Sequence, residues 1–157
     1  MKFADFVCFE AIVPELKSKE RDDVIEELTT ALDRAGQLGK GNCKKIINEL
    51  IKREKEASTG IGKGVAIPHV KSTVVNEPVA AVGRSSTGVD FSSLDKQPVY
   101  SVLLLISPVD NPDEHLQTME NIFRHLQQDR FRKFLRQSQT AEAIEDLLRE
   151  ADDSPDL

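Results

Sequence analysis

The chain has 157 residues, 39% hydrophobic and 31% charged, with 8 Gly and 7 Pro; this is the composition of one globular domain and excludes a disordered, collagenous or low-complexity protein. The formal charge is −6, from 21 basic against 27 acidic residues, and the only aromatic besides Phe is Tyr100, so charge and stacking surface both exclude a general nucleic-acid binder. The start, interrupted by Asp5 and Glu10, has no signal-like apolar stretch, and the apolar run 102–106 is far too short to span a bilayer. A soluble, cytoplasmic protein without direct membrane insertion is expected. Cys8 and Cys43 form no CxxC; two reduced thiols are the simpler reading, a structural disulfide the other.

Taken in chain order, Ser18 stands as an N-cap before an apolar stripe of Val24, Ile25, Leu28, Ala31 and Leu32, and Gly36 is a stop signal. A second helix starts at Asn42, carries Ile46, Ile47, Leu50 and Ile51 on one face, and fades in the charged residues 52–57. The period then changes. Residues 65–67 and 79–82 are short apolar runs, and 99–106 is nearly continuous and bounded by Pro98 and Pro108, as in a strand covered on both faces. Pro112 opens a helix with Leu116, Met119, Ile122, Phe123 and Leu126. Phe131, Phe134 and Leu135 continue in a shorter one, and Thr140 caps a last one with Ile144, Leu147 and Leu148. This order predicts a single α/β or α+β domain over residues 1–150. Residues 151–157 read as a loose acidic tail, since Glu150-Ala-Asp-Asp-Ser-Pro-Asp156 has four carboxylates in seven residues.

The chemistry points to Ser58-Thr-Gly-Ile-Gly-Lys-Gly-Val-Ala-Ile-Pro-His69. Gly60, Gly62 and Gly64 imply unusual dihedrals or a close approach; a tight turn explains them as well as an anion-binding loop does. A P-loop needs Ser or Thr where Gly64 stands, and a dinucleotide fingerprint needs Gly where Val65 stands. His69 follows a strand and a proline, where α/β proteins often place sites. A neutral imidazole is a nucleophile, although a lone loop histidine is as readily a plain hydrogen-bonding group. On the helix from Pro112, His115 and His125 are about 80° apart. His115 sits at the edge of the apolar stripe, and His125 beside Arg124 and Gln127 reads as surface. Three isolated histidines give no metal-ligand spacing, and neither a metal nor another cofactor is expected. Arg53, just before the loop, is either a guanidinium for phosphate or a cation matching a helix C-terminus.

Arg53-Glu-Lys-Glu-Ala-Ser-Thr-Gly-Ile-Gly-Lys-Gly-Val-Ala-Ile-Pro-His69 resembles the active-site signature of enzyme IIA of the fructose–mannitol type in the phosphoenolpyruvate-dependent phosphotransferase system, above all its nitrogen-regulatory branch. The run 89–99, the apolar strand after it and Asp113-Glu-His-Leu116 follow in the expected order, so the resemblance covers nearly the whole chain. Val70, and Met119-Glu-Asn-Ile122, depart from the pattern.

The resemblance implies an α/β fold, a mixed sheet of about five strands flanked by helices. It implies that His69 accepts a phosphoryl group from an HPr-type histidine phosphocarrier, with Arg53 and His115 approaching it and Thr59, Gly60, Gly62 and Gly64 shaping the pocket. A protein donor calls for an apolar rim, for which Ile61, Val65 and Val70 are the candidates. A carrier that regulates partners by its phosphorylation state is the leading expectation. A sugar-transport component passing phosphate to a IIB protein, and a binding module that has lost phosphotransfer, are the alternatives.

Overall fold

The computed structural model describes residues 1–154. Its elements are α1 (Phe3–Phe6), β1 (Val7–Val13), α2 (Arg21–Arg34), α3 (Cys43–Glu56), β2 (Gly60–Gly62), β3 (Val65–Ala66), β4 (His69–Ser72), β5 (Val79–Val89), β6 (Val99–Pro108), α4 (Pro112–Leu126), α5 (Asp129–Gln137) and α6 (Ala141–Asp153). The sheet is mixed, in the order β1-β5-β6-β3-β2, with β4 also paired to β6. β5 and β6 run antiparallel, while β1 joins β5, and β3 and β4 join β6, in parallel. The fold is α/β with six strands, since β1 and the short β2 and β4 join the three apolar runs read from the sequence, close to the about five that the resemblance implies.

Strand β6 organises the interior. Its side chains alternate between two cores: Val102, Leu104 and Ile106 pack with Val24, Ile25, Leu28, Ile46 and Leu50 of α2 and α3. Leu103 and Leu105 pack on the other face with Ile122, Leu126, Phe131, Leu135, Ile144 and Leu148 of α4, α5 and α6. A period of two with both faces apolar gives the continuous hydrophobic run seen in the sequence. Each fully buried aliphatic side chain contributes about 1.5–3 kcal/mol, so this central strand anchors both layers.

Several helix boundaries have local causes. Thr140 Oγ1 accepts from Ala143 N at 3.0 Å, and Asn111 Oδ1 accepts from Glu114 N at 3.2 Å ahead of Pro112, which fixes the start of α4. Ser18 does not cap α2. The chain stays extended through Glu20, which bridges Asp90, and the helix begins at Arg21. The Glu27 carboxylate instead accepts from the Lys17 and Ser18 amides at 3.1 Å. Leu116, expected on the buried stripe of α4, is 59% exposed.

The expected loose tail begins differently. Residues 151–153 complete α6, Ala151 is buried, and Asp152 accepts from the amides of Phe3 at 2.6 Å and Ala4 at 3.0 Å. The remainder of that segment, 155–157, lies outside the described residues. Cys8 and Cys43 are both free. No helix among the described residues is long and apolar enough to cross a membrane.

Candidate active site

The stretch 58–69 folds as a hairpin leading into a new strand. Gly62 pairs with Val65, and the two residues between them, Lys63 and Gly64, both have positive φ (58° and 78°), the requirement of a type I′ turn. Gly64 therefore serves the turn, and its carbonyl accepts from Tyr100 N at 2.8 Å and Ser101 N at 3.1 Å. At Gly60 the reason is close approach, because a Cβ there would run into Ser93.

Pro68 ends the first segment, and His69 opens β4 opposite Leu105 of β6. His69 is half-buried, and its Nδ1 lies 2.8 Å from the Ile67 carbonyl oxygen. A carbonyl only accepts, so Nδ1 carries the proton and Nε2 is the nitrogen with the free lone pair. The Ile67 peptide is held in turn: its N–H donates to Thr59 O at 3.0 Å. Thr59 donates through N (3.1 Å) and through Oγ1 to the carboxyl of Glu54, which is 2% exposed on the last turns of α3. A chain of hydrogen bonds thus runs from α3 through the hairpin to the orientation of the His69 ring.

His115 enters from the first turn of α4. The two imidazole centroids are 5.9 Å apart with planes 38° apart. His115 is 9% exposed, and its Nδ1 lies 2.7 Å from Ser107 Oγ at the end of β6. Burial first, and then the charges of His69 and Lys71, hold its pKa below the ordinary histidine range. His115 is thus neutral at neutral pH. Arg53 is half-buried and uses Nη1 to cap the C-terminal end of α3, donating to Ala57 O at 2.9 Å. It also lines, with Lys52, Val70, Lys71 and Val109, an open cleft of about 470 Å³ beside β4.

The structure brings His69 and His115 together and ties Thr59 to His69 through Ile67, while Arg53 and Val70 share the cleft beside β4, which neither histidine lines. It does not bring the rest. Val65 is 2% exposed and belongs to the core, because on the two-residue β3 its side chain points inward; it forms no rim. Gly64 lies beside Tyr100 and Ser101 of β6, roughly 13 Å along the strand from the level of His69 at Leu105. Gly60 and Gly62 belong to β2, the edge strand, where Ile61 is 41% exposed. His125, expected at the surface, is 1% exposed; Phe3 and Phe131 cover it, with ring centroids 4.8 and 5.5 Å away. Sequence reasoning missed Glu54, Ser107 and Lys71. Only for Glu54 was there a signal, a carboxyl inside the charged run five residues before Thr59. Among the described residues no cluster of His, Cys, Asp or Glu is placed to hold a metal ion.

The site's geometry is thus a pair of histidines at one end of a mixed, doubly covered sheet, one half-exposed with a bare nitrogen and one buried. The sequence of residues 7–151 matches the family described as phosphoenolpyruvate-dependent sugar phosphotransferase system, EIIA 2, and the chain belongs to it. It is 36% identical over 152 residues to the fructose-specific EIIABC component of Bacillus subtilis, a match that takes in 97% of this chain but only 24% of that protein. It is 35% identical to the nitrogen regulatory protein of Bradyrhizobium diazoefficiens, over 94% of this chain and 95% of that one. The crystal structure of nitrogen regulatory protein IIA-Ntr from Neisseria meningitidis superposes with a TM-score of 0.83 at 27% identity, covering 93% of this chain and 98% of that one. The protein is a IIA-like phosphocarrier with relatives in the nitrogen-regulatory branch, whose length it matches nearly end to end.

Proposed function

We propose that His69 Nε2 accepts a phosphoryl group from the phosphohistidine of an HPr-type carrier, and that the phosphorylation state then regulates partner proteins. The observation that carries this reading is the 2.8 Å contact of His69 Nδ1 with the Ile67 carbonyl, which leaves Nε2 as the nucleophile beside a second histidine. In the transfer, the P–N bond of the donor breaks and its electron pair returns to the donor nitrogen. The Nε2 lone pair forms the new bond, and the ring proton stays on Nδ1, donated to Ile67 O. Neutral His115, accepting the Ser107 hydroxyl proton at Nδ1, presents Nε2–H to the phosphoryl oxygens, and Arg53 and Lys71 add positive charge at the cleft. The exposed Val109 and Leu116, together with the half-buried Val70, form the apolar rim for the donor.

Phosphoenolpyruvate, enzyme I and an HPr-type carrier should give a single acid-labile phosphoryl adduct by intact mass on the wild type and none on His69→Ala. His115→Ala should slow the transfer by about 10²-fold, as loss of one transition-state donor does, and Arg53→Ala should slow it as well. A fully phosphorylated His69→Ala protein overturns the assignment. The regulatory role is supported by the end-to-end match to nitrogen regulatory proteins. The 36% identity to a fructose-specific component favours a second reading, in which a IIB domain receives the phosphate. Rapid transfer from the phosphorylated protein to a IIB domain would decide for that one.

A further inference from the structure

A second cavity, of about 590 Å³, opens at the other end of β6, where Tyr100 and Ser101 meet the Lys63–Gly64 turn and α5. Five cations line it: Lys63, Arg84, Arg132, Lys133 and Arg136, and no carboxylate does. This stands out in a chain of net charge −6. Two acids pair with these side chains from outside, Glu15, 3.6 Å from Arg84 Nη1, and Asp129, paired with Arg132 Nη2, and a third, Asp95, accepts from the Lys63 backbone amide at 3.3 Å. Three positive charges remain uncompensated, and the side chains of Lys63 and Lys133 have no hydrogen-bond or ion-pair partner among the described residues.

Arg84 shapes the floor. Its side chain is 9% exposed; Nε donates to Arg136 O at 2.6 Å and Nη1 to Pro14 O at 3.1 Å. Its third nitrogen, Nη2, has no partner among the described residues yet is not sealed from solvent. Arg84 lines the cavity, and its solvent-accessible Nη2 is a charged donor that an anion entering there can take over from water. Arg136 is held over the Tyr100 ring, with Cζ 3.5 Å from the centroid, which keeps its own N–H fork at the mouth. Lys63 sits at the first central position of the type I′ turn with φ 58°, where Asn, Asp or Gly is the favoured residue. The backbone strain there sets a cation at the rim.

From these features we infer that this cavity binds a small molecule bearing a diphosphate or longer phosphate chain. The volume lies within the usual range for small-molecule sites. A diphosphate carries about the charge that the three uncompensated cations can match, and planar guanidinium forks suit phosphate oxygens. The site is roughly 13 Å from the level of His69 along β6, and the inference does not rest on the phosphocarrier reading.

The test is titration of the full chain with inorganic pyrophosphate and with ADP in metal-free buffer, followed by calorimetry and by amide NMR shifts. Saturable binding is expected, with shifts at Gly64, Tyr100 and Ser101, unchanged in affinity by His69→Ala and falling with salt. The double variant Lys133→Ala with Arg136→Ala removes two exposed cations, and its affinity should drop by about 10-fold. Absence of saturation, shifts confined to the surroundings of His69 and His115, or wild-type affinity in the double variant each overturns the inference. Arg84→Lys, read by the same titration once its amide spectrum is seen to be folded, tests the floor separately and should weaken binding without abolishing it.

Discussion

His115 shows how one side chain's environment sets its role. Its imidazole is buried against Ser107, and the titratable groups that face it are His69 and Lys71. Burial is the larger influence, and both act to keep the ring uncharged. Because its pKa is lower folded than unfolded, the folded state binds fewer protons than the unfolded one as pH falls below the unfolded value of about 6.5. Stability on account of this residue is therefore full above that pH and declines as pH falls from about 6.5 down through the folded pKa. Urea unfolding at a series of pH values should show wild-type stability falling faster between neutral and mildly acidic pH than that of His115→Gln, which cannot titrate. Parallel pH profiles for the two proteins would refute this account. The same neutrality suits a hydrogen-bond donor beside a reacting phosphoryl group, since an imidazolium next to His69 and Lys71 would be costly before any phosphate arrived.

At the scale of elements, α3 and the β2–β3 hairpin are joined through one buried carboxyl. Glu54 accepts from both Thr59 N and Thr59 Oγ1, and Thr59 O holds the Ile67 peptide whose carbonyl orients His69. Glu54→Ala would leave a buried amide and hydroxyl unsatisfied, a loss of about 1–3 kcal/mol. Faster hydrogen exchange at the Thr59 and Ile67 amides should accompany it, while Glu49→Ala, on a more exposed turn of the same helix, should leave those amides unchanged. The connection was hidden in the sequence because 52–57 has the composition of a solvated charged turn, and only the fold back through Ser58 buries one of its members. Strand β6 and helices α2 to α6 were legible, since each carries an apolar period long enough to name its type. Strand β1 was not: Val7–Val13 is interrupted by Glu10 and follows the one-turn α1, so no clean alternation survives. His125 was misplaced for a similar reason, because a helical wheel of α4 contains no term for Phe3, which arrives from the far end of the chain. His69 was singled out from sequence by its spacing and its resemblance to a family; the ring nitrogen left free needed the Ile67 carbonyl.

Across the whole molecule, the α4–α6 layer is closed by the beginning of the chain. Phe3 is fully buried and stacks on Phe131 at 5.8 Å, and His125 packs on the same ring. What fixes Phe3 there is Asp152, whose two carboxylate oxygens accept the amides of Phe3 and Ala4 across 149 and 148 residues of sequence. The residues read as an acidic tail thus cap the four-residue α1, which is too short to hold itself together. Asp152→Ala should cost about 1 kcal/mol, the lower end for charged hydrogen bonds because the carboxylate is half-exposed. Asp153→Ala removes the adjacent exposed carboxylate, for which no partner occurs among the described residues, and should change stability by less than about 0.5 kcal/mol. Thermal unfolding of the two variants side by side separates a cap from a general charge effect. Hydrogen exchange should accelerate at the Phe3 and Ala4 amides in Asp152→Ala alone. Equal stability losses in both, with those amides unaltered, would mean that α1 is held by burial of Phe3 and Phe6 and that the carboxylate adds nothing.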